Sequence, residues 1–342
     1  MIAAADTDVL VVGGGPVGLA AAIEARRDGW GVVVLEPRAA PVDKACGEGL
    51  MPGTLAAVRR LGVDPEGRPL AGISYRQGGV VADHRFDRGV GRGVRRTVLQ
   101  GALHEAATAA GAVVLPRRVG GVLQDGTSVV AAGVRARWLL ACDGLHSRVR
   151  REVGLETPPR RGGRRFGLRR HYRVPPWTDL VEVHWGPHVE AYVTPVADDV
   201  VGVALLGPAG VDFDAELATL PELAARLEGA VPDGPLRGAG PLRVRTRART
   251  AGRVRLVGDA SGYVDALTGE GLRVGLAQAR AAVEHLDRPA AYERAWAAAT
   301  RDYRVLTTGL VAAARSPLRR GVVPAAARLP RLYGTVVERL AR

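Results

Sequence analysis

The sequence predicts an α/β fold in which a parallel β-α-β unit opens the chain, an antiparallel β-sheet follows and helices close it. Three observations predict it. Short apolar runs end at glycine-bearing turns, the first from Asp8 to Val12. Alternating apolar and polar residues take over between about 164 and 206. An Ala- and Arg-rich stretch from about 290 onward reads as helix broken by Pro317, Pro324 and Pro330.

The elements follow in order. Asp8 to Val12 reads as a buried parallel strand, residues 16–28 as a helix of small residues, and Gly31 to Leu35 as a second buried strand. That is a β-α-β unit of dinucleotide-binding span. A helix is expected over 96–110, then a strand at Ala112 to Leu115. Val119 to Val134 reads as a hairpin turning at Asp125-Gly126, and Arg137 to Cys142 as another buried strand. Val181 to Trp185, Val189 to Val193 and Val200 to Leu206 alternate as strands of an antiparallel sheet, a natural floor for a substrate pocket. A helix near 213–228 and a strand near 241–248 complete that region. Arg253 to Val257 is again a buried strand, and a helix runs from about Gly271 to Leu286. The expected division is 1–160 for the first part of the cofactor domain, 161–250 for the substrate sheet, 251–290 for the return segment and 291–342 for the helical tail.

Composition bounds the partners. At 47% hydrophobic and 24% charged residues the chain is not largely disordered. The formal net charge of +13 raises nucleic acid, an anionic membrane or acidic substrates as partners. The charge is scattered arginine, Lys44 being the only lysine, and only 4% of residues are aromatic, so bases would find few stacking platforms. Nucleic-acid binding is not expected. Cys46 and Cys142 make no disulfide framework, and a strand beginning near Asp8 leaves little room for a secretory signal. A cytoplasmic location is the expectation, and no metal site is expected.

The chemistry sits in three motifs. In Gly13-Gly14-Gly15-Pro16-Val17-Gly18, Gly13 makes a tight turn, Gly15 lets the backbone approach a pyrophosphate, and Gly18 lets the helix pack on the strand. Uncapped N–H groups at the helix start favour the phosphates. Glu36, eighteen residues after Gly18, can accept ribose hydroxyls. The second motif, Cys142 to Arg150, and the third, Gly258 to Leu272, each follow a buried strand. An extended FAD crosses several strand ends and needs groups from more than one of them. A helix starting at Gly271 would aim its N–H groups where negative charge gathers on reduced flavin.

Together these motifs resemble those of FAD-dependent hydroxylases of the para-hydroxybenzoate hydroxylase type and of the related geranylgeranyl reductases, over about residues 6–290. The resemblance implies a Rossmann-like FAD-binding domain with an antiparallel β-sheet substrate domain and C-terminal helices. It implies that Gly13, Gly15, Pro16, Val17, Gly18, Glu36, Pro37 and Arg38 hold the ADP half. Arg96 is similar to the family's arginine near the pyrophosphate, with Gln100 beside it. Val119 is similar to the residue whose backbone meets the adenine. Asp143-Gly144 resembles the DG motif, and Gly258-Asp259 the ribityl ligand. Gly269, Gly271 and Leu272 would face the flavin, as would Cys46-Gly47, which resembles the reductases' Cys-Gly segment. Gly262 and Ala266 depart from the hydroxylases, which have histidine and proline there. The lysine and the tryptophan-rich motif of flavin halogenases are not visible. Only one dinucleotide fingerprint exists, so NADPH or NADH would visit a shared cleft as a transient reductant.

The expected activity is an NAD(P)H-dependent flavin monooxygenase that hydroxylates a phenolic, polyketide-like secondary metabolite, with O₂ adding at the flavin C4a. The alternatives are a C=C reductase of an isoprenoid or lipid, and a non-catalytic flavin-fold binding protein. His184, Trp185, His188 and Tyr192 are the substrate candidates, with Cys46, His184 and Tyr192 also candidates for catalysis; His171 and Tyr172 have similar status. The tail from Ser316 to Leu340 mixes arginines with aliphatic residues. It reads as a helix closing the substrate cavity, with weak peripheral contact to an anionic membrane as the alternative. Oligomeric state is left open.

Overall fold

The computed structural model describes residues 7–158 and 164–342. The expected domain boundary at 160/161 and residues 1–6 lie outside them. In chain order the strands that frame the site are β1 (Thr7–Val12), β2 (Val32–Leu35), β3 (Gly72–Gln77), β4 (Val80–Arg85), β5 (Val113–Leu115), β6 (Val134–Ala141), β7 (Arg165–Arg173), β8 (Leu180–Trp185), β9 (Glu190–Ala197), β10 (Val200–Pro208) and β11 (Val254–Leu256). The helices are α1 (Pro16–Arg27), α2 (Arg96–Ala109), α3 (Gly271–Glu284), α4 (Pro289–Ala314), α5 (Val322–Arg328) and α6 (Pro330–Ala341).

One sheet runs β11-β6-β1-β2-β5, and all four pairings are parallel. Its central strands β1 and β2 are largely apolar on both faces because both faces are covered. Val9 and Val11 of β1 pack against Leu19, Ala22 and Ile23 of α1, while Leu10 and Val12 meet Val129, Val134 and Val149 on the other side. The chain goes from β1 to β2 on one side and later returns to β6 on the other. This reversal opens a crevice at the carboxyl ends of β1 and β6, the usual ligand position in such sheets.

The second sheet runs β7-β10-β9-β8-β3-β4. β3 and β4 come from residues 72–85, well ahead of the segment whose alternation announced the sheet, and β3 pairs with β8 in parallel. The helix expected over 213–228 is two short helices, Phe213–Ala218 and Pro221–Arg226, because Pro221 has no N–H to continue the first and suits the start of the second. Residues 241–248 form no regular strand. They make only isolated bridges, Val244 to Tyr263 and Thr246 to Glu156, because Arg237–Ala239 takes the edge of β7 instead.

The two sheets and the tail are tied by buried charge. Glu190 on β9 is fully buried and accepts hydrogen bonds from Arg165 on β7 and from Arg319 in the turn before α5. Arg165 also donates to Asp265 at 3.0 Å, in the loop before α3. Arg319 further donates to the carbonyls of Gly186, Val189 and Ala314. One carboxylate thus fixes a sheet edge, the cofactor-side loop and the tail. Replacing Glu190 with Gln removes the shared anion from two buried guanidiniums, which should cost roughly 3 kcal/mol. Urea unfolding of Glu190→Gln against the parent protein measures this, and a loss below about 1 kcal/mol would contradict it.

Candidate functional site

The site begins where backbones meet with no side chain between them. Gly13 has φ +105°, and a Cβ on it would lie 2.5 Å from the Cys142 carbonyl oxygen. A Cβ on Gly18 would lie 1.9 Å from the Gly13 oxygen. Glycine is therefore required at both positions. α1 opens with Gly15 as its cap and Pro16 in its first turn, and no side chain caps its free N–H groups. α3 packs on α1 where Gly275 meets Val17, a Cβ there approaching Val17 Cγ2 to 2.5 Å.

A cavity of about 950 Å³ runs from this turn to the C-terminal helices. Its first half is polar. Glu36 Oε2 accepts from the Gly14 N–H at 3.0 Å, and Arg38 grips the same carboxylate at 2.8 and 3.1 Å. Burial of Glu36 pushes its pKa up, but the bonds from Arg38 and Gly14 outweigh it, and the carboxyl lies below its ordinary value of 4.5. Gln100 is buried and stitches the turn in place, donating to the Gly14 carbonyl and accepting from the Val42 N–H. Arg96 lines the cavity, with its guanidinium 3.7 Å from where a Gly15 Cβ would stand. The Nε of Arg96 is buried and unpartnered. Asp143 Oδ2 accepts from the Arg148 N–H at 2.8 Å, at the start of the short helix Arg148–Glu152 that Ser147 caps, and Asp143 Oδ1 is buried without a partner. Lys44 sits 3.8 Å from Asp259. Pro37, Val119, Gly144 and Gly258 line the same half.

An uncapped helix start beneath a buried, unpartnered arginine nitrogen fits a pyrophosphate. Glu36 fits a ribose, and Asp259 and Asp143 lie on the cavity toward its middle. The group these donors and acceptors suit is FAD, spread across the crevice.

The middle of the cavity is lined by Cys46, Gly47, Gly269, Gly271 and Leu272. Gly269 has φ +69°, which lets the loop turn into α3, whose N-terminus no side chain caps. This segment is held from the second sheet. Tyr192 donates to the Leu267 carbonyl at 2.6 Å, and Thr194 to the Gly47 carbonyl at 2.8 Å. Glu48 adopts φ +60°, an uncommon conformation for a residue with a side chain. Its buried carboxylate is fixed by His171 Nε2 at 2.6 Å and by the Arg96 N–H at 2.8 Å. The Nδ1 of His171 faces the guanidiniums of Arg169 and Arg95, which only donate, so Nδ1 must accept and Nε2 carries the proton given to Glu48. Glu48 and His171 therefore connect the second sheet to the arginine above the turn.

The far half is apolar. Ile73, Val181, Val183, Leu206, Leu310 and Val336 line it, with the rings of Tyr75, Tyr192, Tyr263 and Tyr333. Burial raises the hydroxyls of Tyr75, Tyr192 and Tyr263 far above the ordinary value of 10, so they stay protonated at any working pH.

Of the residues singled out in sequence, the cavity collects the cofactor set, with Gly18 and Gln100 standing just behind the turn, together with Cys46 and Tyr192. It does not collect His184, Trp185 or His188. Val181 and Val183 take the cavity face of β8, so alternation puts His184 on the other face, bound to Glu182 at 2.9 Å. Trp185 is buried against Tyr75 with ring centroids 5.7 Å apart, and His188 is exposed in the turn between β8 and β9. Tyr172 packs in the core beneath the two short helices. Sequence reasoning gave no role to Lys44, Glu48, Tyr75 or Tyr333, whereas Leu332 and Val336 of α6 fall in the tail expected to close the cavity.

Two outcomes test the polar half. Arg96→Met removes the charged donor above Gly15 and should weaken FAD binding roughly ten-fold to a hundred-fold, read by quenching of flavin fluorescence on titration. Glu36 has a depressed folded pKa, so its contribution to stability is full above pH 4.5 and is lost as pH falls through the lower, folded value. The melting-temperature gap between the parent and Glu36→Gln should therefore shrink as pH drops below 4.5, and a constant gap would refute the ion pair with Arg38.

Residues 6–185 match the sequence profile of the FAD binding domain family. A menaquinone reductase of Mycolicibacterium smegmatis is 54% identical over 56 residues, 16% of this chain and 14% of that protein. The digeranylgeranylglycerophospholipid reductase 1 of Methanopyrus kandleri is 35% identical over 165 residues, 43% of this chain and 42% of that protein. The chain thus covers less than half the length of these relatives. Among solved structures, the p-nitrophenol 4-monooxygenase of Pseudomonas putida superposes with a TM-score of 0.81 at 20% identity, covering 98% of this chain and 97% of that one. The chain belongs to the FAD binding domain family.

Proposed function

We propose that this protein is a flavin monooxygenase that hydroxylates an aromatic substrate carrying a substantial apolar part, with NADPH or NADH as reductant. The observation that carries this reading is the continuity of the cavity: a polar dinucleotide half opens into a chamber walled by aliphatic side chains and four tyrosines. The bound flavin would supply two-electron chemistry and oxygen transfer. The balance is one substrate C–H, one O₂, one NAD(P)H and one proton in, and one C–OH, one water and NAD(P)⁺ out.

The chain's own residues have definite tasks. Gly13 to Gly18, Arg96 and Glu36 would hold the nucleotide half, and Asp143 and Asp259 the central chain. The α3 N-terminus favours the negative charge that reduced flavin carries. The tyrosine rings suit stacking on an aromatic substrate, and the protonated hydroxyls of Tyr75 and Tyr263 suit donation to its oxygens. The apolar walls exclude water, which protects oxygen transfer from wasteful release of peroxide.

A second reading, reduction of a C=C bond in an isoprenoid or lipid, is favoured by the Cys46-Gly47 segment on the cavity wall and by the two reductase relatives. Oxygen separates them. With NADPH and a panel of alkyl-substituted phenols and prenylated quinones, hydroxylation gives products heavier by one oxygen, formed only in air. Products gaining two hydrogens under anaerobic conditions would replace it with the second reading. NADPH oxidation with neither product would remove both.

A further inference from the structure

The far end of the cavity opens on the surface among apolar residues. Leu329 and Leu332 line the cavity and yet are 54% and 59% exposed, so they form its rim. Leu318, on the turn that packs against α5, is 71% exposed. Large aliphatic side chains at such exposure around a cavity mouth mark a contact surface.

The charges beside them identify its partner. α6 buries Tyr333, Val337 and Leu340 and leaves Arg331 and Leu332 outward. Arg328 and Arg331 flank Leu329 and are exposed, as is Arg320 beside Leu318. Two other arginines of the tail are held by carboxylates, Arg339 by Asp302 at 2.9 Å and Arg319 by Glu190. Arg320, Arg328 and Arg331 have no carboxylate partner among the described residues. Exposed aliphatic side chains ringed by free guanidiniums, on a chain of net charge +13, complement an anionic headgroup layer with acyl chains beneath it. None of the described helices is long and apolar enough to cross a membrane. We propose that this rim docks peripherally on an anionic lipid bilayer, with Leu318, Leu329 and Leu332 in the acyl boundary and the arginines on the headgroups, so that the substrate passes from bilayer to cavity without crossing water. The proposal rests on the apolar-substrate reading above. It promotes the membrane alternative of the tail without displacing its role as a cavity wall, since α6 does both.

The test is co-sedimentation of the FAD-loaded full chain with vesicles of phosphatidylcholine alone and of equal parts phosphatidylcholine and phosphatidylglycerol, at low and high salt. Binding to the anionic vesicles should be at least ten-fold tighter than to the neutral ones and should weaken with salt. R328Q/R331Q should weaken it about ten-fold further. Leu318→Asp, outside the cavity, should also weaken it while the flavin spectrum stays unchanged. Equal binding to both vesicle types, no binding to either, or full binding by R328Q/R331Q would overturn the proposal; a soluble acidic protein as the true partner would give the second result. Turnover of a detergent-dispersed substrate keeps the two claims apart. Turnover without vesicle binding removes the docking and leaves the function, and vesicle binding without any turnover does the reverse.

Discussion

Everything at this site depends on a steric constraint: three backbone segments meet at the carboxyl ends of β1 and β6 with no room for a Cβ. Gly18 sits over the Gly13 carbonyl, and Gly13 over that of Cys142. Because α1 is pressed this close to the sheet, its N-terminus points into the crevice with its N–H groups free. The same closeness brings the turn within reach of Gln100 and Glu36, which fasten the Gly14 peptide from both sides. A larger residue would push the helix outward and dissolve the anion site with it.

Around that point the molecule uses two kinds of glue. The parallel sheet is held by apolar burial on both faces, which is strong but indifferent to detail. The second sheet and the tail are held in register by directed polar contacts: Glu190 with Arg165 and Arg319, His171 with Glu48, Tyr192 with the Leu267 carbonyl. Such contacts need not add much net stability, yet they fix positions, since a buried charge without its partner is costly. Glu48 illustrates the exchange. Its strained φ persists because its carboxylate is anchored on both sides, and the strain places Cys46-Gly47 on the cavity wall.

The polarity of the cavity follows from these supports. Donors and acceptors cluster where a nucleotide would lie, and aliphatic and tyrosine side chains take over where α4, α5 and α6 close the chamber. Apolar side chains wall the far half of the cavity, and cationic side chains collect at the nucleotide end and again at the outer rim. The division suits the proposed reading, in which a charged cofactor and a hydrophobic substrate share one continuous space.

By itself the sequence determined the cofactor half. A tight turn, a helix start and a ribose carboxylate occupy fixed offsets along a local β-α-β unit, so Gly13, Gly18 and Glu36 are legible without any knowledge of distant contacts. The same holds for Asp143 and Gly258-Asp259, which end buried strands. Only the tertiary structure decided the substrate half. His184 and Tyr192 look alike in an alternating segment, and which faces the cavity depends on sheet packing that no local pattern encodes. Val181 and Val183 took the inner face, and His184 was turned onto Glu182. Likewise Leu332 and Tyr333 reach a cavity founded at Gly13 because Arg319 anchors the tail to Glu190, a contact between residues 129 positions apart. Pairings at that separation are chosen by folding the whole chain, which is why the cofactor turn could be read in line and the chamber it serves could not.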